Sequence, residues 1–344
     1  MKPKHLTTIA FFCLLIGLSV GLFVKSMAQT TTQDGSSSYR LSGPYTHGNL
    51  TVFLVHGKDL TDKPFLTLQE ALAQKKVKVY ETKDVNSLAI QNLSNEDVYV
   101  QSGDIVRGGD QDRMISVDFI VPPRSGRMPI GAFCVESGRW SKRGNEENAS
   151  FSSSENMVAT KDLKLAAKKE QSQQAVWENV KVAQGKLAAN VTAARPALMG
   201  TSSMELSVEN EKVKESTEAY IKELSGILQG KSDVIGYVFA INGNVNSADV
   251  YASRALFAKL WPKLLKASAV EALAELNKDV ESKPVVSETV HTFLAESEKA
   301  RGEARQVTPR VKVVTKEDDK NILFETQDRA ANDGWVHRNY IRKQ

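Results

Sequence analysis

The sequence predicts an α+β protein, in which a β-rich sandwich- or roll-like sheet is followed by a helical part and late strands return to the sheet. Three observations predict it. Short apolar segments parted by Gly, Pro and Asn fill the stretch from Leu50 to Glu136, as in sandwiches and rolls. From Leu163 to Ala300 the apolar positions take up helical spacing. Strand-like runs return at Val311–Val314 and Ile322–Glu325. The expected organisation is a signal peptide at 1–28, a flexible tether at 29–43 and one integrated domain at 44–344. Within that domain, 44–140 is read as β-rich, 141–162 as a mobile loop, 163–300 as helical or mixed, and 310–340 as C-terminal strands.

The N-terminal segment has the layout of an export signal. Lys2, Lys4 and His5 precede an apolar or small-residue run from Ile9 to Val24, and Ser26-Met27-Ala28 offers a cleavage site before Gln29. The run is short for a membrane span, which needs about 20 residues. An uncleaved anchor is the alternative, and the only route by which the sequence implies a membrane. The segment holds three of the 45 Lys and Arg and no acid, so its removal leaves 42 basic against 41 acidic residues. A chain so balanced lacks the basic footprint of a nucleic-acid binder. Cys13 leaves with the segment and Cys134 stays alone, so no intrachain disulfide is expected.

The elements follow in order. Leu50–Val55 reads as a strand, and Thr67 as the cap of a short helix reaching Gln74. Val77–Glu81 and Ser87–Asn92 alternate as strands do. Val98–Val100 is a fourth strand after turn residues, and Met114–Val121 a fifth, stopped by Pro122-Pro123. Met128–Glu136 resumes the sheet with Cys134, read as a buried, inert thiol. Leu163–Leu187 is read as one long, solvated helix and Val208–Gln229 as an amphipathic one. Val234–Ile241 is a buried strand, and Asn242-Gly243 the strongest hairpin signal in the chain. In the helix carrying Leu256 to Leu265, Pro262 is expected to kink or break the run. Ser268 and Glu271 are read as a capping box for Ala269–Leu276. A polar helix spans Glu288–Ala300, and Asn332-Asp333-Gly334 is a turn.

Chemistry concentrates between Gly103 and Trp140, where two glycine-rich, charge-dense corners flank apolar segments. Arg113 and Arg139 can fork onto a carboxylate or phosphate, Gln111 can orient a carbonyl, and Trp140 can stack on a ring. Glu136 is the candidate general base, with Asp104, Asp110, Asp112 and Glu81 as further acids. A structural reading competes: Gly108-Gly109 as a bulge, and Arg113 with Glu136 as an ion pair between strands. His47, His56, His291 and His337 show no paired spacing, so no metal site is expected, and His337 is placed at the surface. No phosphate loop, dinucleotide fingerprint or serine elbow is present, so no cofactor is expected.

Gly103-Asp104-x-x-x-Gly108-Gly109-x-Gln111-x-Arg113, Val121-Pro122-Pro123 and Cys134-Val135-Glu136-Ser137-Gly138-Arg139-Trp140 resemble a bacterial family, the ADP-ribosylglycohydrolase and rhodanese-phosphatase associated protein domain. The run from Ile235 through Asn242-Gly243 and Ser247-Ala248-Asp249 to Leu260-Trp261 is similar to it as well. The resemblance spans roughly Leu41 to Leu276 and extends toward His337. It implies gene neighbours acting on ADP-ribose conjugates and phosphates, and carries over no catalytic set.

These readings favour an exported domain that binds a small anionic ligand, nucleotide-, ADP-ribose- or sugar-like, through Gln111, Arg113, Arg139 and Trp140. Two alternatives stand beside it. One is a metal-independent hydrolase with Glu136 as general base. The other is a structural or interaction protein of the cell envelope.

Overall fold

Two apolar runs from opposite ends of the chain meet in one sheet. The computed structural model describes residues 39–136, 151–157, 160–192, 203–277 and 283–343. Its strands open with β1 (Arg40–His47), β2 (Leu50–His56) and β3 (Phe65–Thr67), then α1 (Leu68–Ala73), β4 (Val77–Glu81) and β5 (Ser87–Asn92). Then come β6 (Asp97–Val100), β7 (Asp104–Arg107), β8 (Arg113–Ile115), β9 (Phe119–Val121), β10 (Met128–Cys134) and β11 (Ser152–Met157). The middle holds α2 (Lys161–Leu165), α3 (Gln173–Leu187), α4 (Met204–Val208), α5 (Glu211–Leu224), β12 (Val234–Ile241) and β13 (Asn244–Tyr251). The chain ends with α6 (Arg254–Ala274), α7 (Ser287–Lys299), β14 (Gly302–Gln306), β15 (Val311–Glu317), β16 (Asn321–Asp328) and β17 (Gly334–Arg342).

These strands make three sheets, and the protein is of the mixed α+β class. The largest runs β1-β2-β12-β13-β17-β16-β15-β14, so the C-terminal strands join the first two. A six-stranded sheet runs β11-β7-β8-β10-β5-β4, and a three-stranded one β3-β6-β9. The Asn242-Gly243 turn joins β12 to β13 with both residues at positive φ, 51° and 75°, as a type I′ hairpin requires.

β12 is buried along its whole length because both faces are covered. Tyr237 and Phe239 face the main core with Phe257 and Trp261 of α6, the Tyr237 and Trp261 rings 5.4 Å apart. Val238 and Ala240 face a second core with Val290, Phe293 and Leu294 of α7. Between β12 and β13 the backbones approach closely at Gly236, where a Cβ would sit 2.4 Å from the Asp249 carbonyl oxygen.

Several expectations change. α6 continues from Arg254 to Ala274 through Pro262, so the helix does not break there. Pro262 and Ala258 both face solvent, so the Ala258 carbonyl left without a helical donor has water to accept from. Ser268 is not a cap but an interior residue, its hydroxyl bonded to the Leu264 carbonyl at 3.1 Å and facing the Tyr237 hydroxyl at 3.0 Å. The long helix from Leu163 to Leu187 is two. Gln171 adopts a left-handed φ of 51°, and the Ser172 hydroxyl caps α3 by accepting from the Ala175 N–H. Residues 152–157, read as loop, form β11 against β7, and residues 40–43, read as tether, belong to β1. Residues 1–38, which hold the expected signal and most of the tether, and 141–150 of the expected loop lie outside the described residues. No described helix is long and apolar enough to cross a membrane.

Candidate functional site

The Gly108-Gly109 corner is a turn between β7 and β8 that wraps one carboxylate. Both glycines have positive φ, 119° and 57°. A Cβ on Gly109 would lie 2.4 Å from Glu81 Oε1, so only glycine lets the turn close on that side chain. Glu81, at the end of β4, accepts there from the Asp110 N–H at 3.1 Å. The Asp112 carboxylate accepts from the Gly108 N–H at 3.2 Å and holds the turn from inside.

β8 then carries Arg113 into the interior. The guanidinium is 2% exposed, although it is charged. Its Nη1 donates to Gln111 Oε1 at 2.9 Å and meets Cys134 Sγ, while Nη2 reaches Glu81 Oε2 at 3.4 Å. Nε has no hydrogen-bond partner among the described residues. Gln111 in turn donates through Nε2 to the Glu136 carbonyl at 3.2 Å. Three residues singled out from sequence, Gln111, Arg113 and Glu136, therefore lie together and buried. Arg139 and Trp140 lie outside the described residues.

The ion partner of Arg113 is Glu81, from a different strand than the Glu136 proposed as its mate. Asp104, another candidate acid, forms a buried ion pair with Lys263 of α6 at 2.7 Å. Cys134 is a free, buried thiol, as expected. Burial pushes its pKa up to about 11, only partly opposed by Arg113, so it stays protonated at neutral pH. Sequence reasoning missed Gln173 at the start of α3. Its amide accepts from the Cys134 N–H at 2.8 Å and donates to the Cys134 carbonyl at 2.9 Å, as a neighbouring strand would.

A second polar centre was also missed. His337, expected at the surface, is 0% exposed. Its Nδ1 lies 2.8 Å from Asp118 Oδ2 and its Nε2 3.0 Å from Asp249 Oδ1, and its ring stacks on Tyr251 at 4.4 Å. Burial alone would lower the imidazole pKa, but the two carboxylates outweigh it and raise it. Burial opposes ionisation of Asp118 too, yet Lys168 and His337 hold its carboxyl well below the usual range. Thr326 and the Ser102 N–H donate further bonds to Asp118, and Asn339 donates to Asp249 Oδ1, while Asp249 Oδ2 has no hydrogen-bond partner among the described residues. This centre joins β13, β16 and β17 to the loop before β9. Among the described residues, no set of three His, Cys, Asp or Glu side chains is arranged to hold a metal.

No curated protein and no solved structure matches the chain significantly. Residues 38–341 match the ARG and Rhodanese-Phosphatase-superfamily-associated Protein domain, and the chain belongs to that family.

Proposed function

We propose that the chain is an exported domain that binds a small anionic ligand, nucleotide-, ADP-ribose- or sugar-like, at the Arg113 corner. One observation carries the reading. Among the described residues, Arg113 is held in place by neutral partners, leaves Nε unpaired and touches a single acid, Glu81, at 3.4 Å. That contact is loose beside the 2.7–2.9 Å of a strong charge-assisted bond. A phosphate or carboxylate that displaces the partly exposed Glu81 gains a preorganised fork. The protonated Cys134 thiol supports binding over thiolate chemistry. Export is supported by the basic, apolar and small-residue order of residues 1–28.

The test is a thermal-shift panel of nucleotides, ADP-ribose, sugar phosphates and small acids. A ligand at about 100 times its dissociation constant adds roughly 2.7 kcal/mol of stability. The hit should disappear in Arg113→Lys, which keeps the charge but not the fork, and strengthen in Glu81→Gln, which removes the competing acid. An empty panel, or a hit that Arg113→Lys leaves intact, removes the reading.

A further inference from the structure

Away from that corner, a cleft of about 690 Å³ opens where the β12–β13 turn meets the ends of α2 and α3 and the side of α7. Small-molecule sites have this size. Its walls carry both signs of charge in equal number. Lys186 pairs with Glu275 at 2.5 Å and Arg342 approaches Glu296 at 3.9 Å. The remaining four charged residues, Lys161, Lys320, Asp162 and Glu288, form no salt bridge with a described residue. A cleft with one sign to spare selects a simple ion. Two spare charges of each sign suit a molecule that carries both.

The floor is rigid. Glu271 of α6 is 1% exposed, and its Oε1 accepts from the Lys161 N–H at 2.8 Å and from Asn246 Nδ2 at 3.1 Å. Asn242 donates to the Glu275 carbonyl and accepts from Asn49 Nδ2 at 3.1 Å. These bonds tie the hairpin, the start of α2 and the end of α6 together, so the cleft exists before any ligand arrives.

We propose that this cleft binds a small zwitterion, an amino acid or short peptide, with its carboxylate on Lys161 and its ammonium on Glu288. Lys161 is half-buried at the start of α2 and Glu288 is exposed on the first turn of α7, so the two charges come from separate elements across the cleft. Neither residue belongs to the Arg113 corner, so this site stands or falls apart from it.

The experiment is isothermal titration of the full chain with trialanine, its N-acetyl form and its C-terminal amide. Trialanine should bind, and each capped peptide should bind about tenfold more weakly, as loss of one well-placed charge requires. Lys161→Gln should erase the difference between trialanine and its amide, and Glu288→Gln the difference from the N-acetyl form. Both substitutions should leave the fold intact, since the Glu271 bond uses the Lys161 backbone rather than its side chain and Glu288 is exposed. Absence of trialanine binding, equal binding of all three peptides, or differences that survive both substitutions would overturn the proposal.

Discussion

His337 Nδ1 and Asp118 Oδ2, 219 residues apart in the chain, lie 2.8 Å from each other in an interior that excludes water. The pair fixes β17 against the loop before β9, and Asp249 on the other imidazole nitrogen extends the tie to β13. His337 is therefore a buried imidazole held between two carboxylates from distant parts of the chain. Replacing it with Leu leaves two buried carboxylates short of a partner. Breaking a buried pair in this way costs about 3–5 kcal/mol. Urea denaturation of His337→Leu should show a midpoint lowered by a corresponding amount, and an unchanged midpoint would remove the structural role.

The same group sets a pH dependence. Its folded pKa is raised above the unfolded value of about 6.5. Its stabilising contribution is thus fully present below that unfolded value and is lost as pH rises through the folded pKa. Asp118, Asp249 and Lys168 surround it, and the first two stay ionised because their own pKa values are lowered. Denaturation midpoints measured from pH 6 to 9 should fall in the wild-type protein and fall less in His337→Gln.

Glu271 moves stability in a lower window. Burial raises its carboxyl to about 7, against 4.5 for the free group, despite the nearby Lys164. The folded form keeps a proton that the unfolded chain gives up, so stability declines as pH rises from about 4.5 to 7. A shift of this size corresponds to roughly 3 kcal/mol. Glu271→Gln should flatten the stability curve across that window, and a curve with the wild-type slope would place the titrating group elsewhere.

Arg310 offers a test of geometry rather than charge. Its guanidinium contacts both Asp97, at the start of β6, and Asp328, at the end of β16, with Nε to Asp328 Oδ1 at 2.7 Å and Nη2 to Asp97 Oδ2 at 3.1 Å. One planar fork joins the three-stranded sheet to the large one. Lys supplies the same charge as a single point, so Arg310→Lys should still cost about 2 kcal/mol. Thermal unfolding that separates Arg310→Lys from wild type by less than a degree would argue that charge alone suffices.

What the sequence made legible follows physical range. Val234–Ile241, Asn242-Gly243 and Thr67 were readable because their signals are local: apolar continuity, φ preference and a capping side chain. Gln111, Arg113 and Glu136 were readable as a group because they sit on or beside adjacent strands of one sheet. His337 was misplaced because its neighbours in sequence, Trp335 and Arg338, are only half-buried, while the acids that bury it come from β13 and the loop before β9. Gln173 was invisible for a similar reason. A glutamine opening a polar helix gives no hint that its amide completes a strand edge. Pro262 did not end its helix because the carbonyl it frees lies on the exposed face of α6.

Cys134 supplies the most direct check on the corner itself. Its sulfur faces Arg113, its backbone is gripped by Gln173, and its pKa of about 11 leaves almost no thiolate at pH 7.5. Alkylation needs both thiolate and access. Iodoacetamide should therefore leave Cys134 of the native protein unlabelled for hours and label it fully in denaturant. Arg113→Lys should raise the native rate, because the shorter side chain opens space beside the sulfur and loosens the Gln111 contact. Mass spectrometry of time-quenched samples reads both rates. Rapid labelling of the native wild type would mean that the corner opens on its own, and the preorganised fork on which anion binding rests would then be lost.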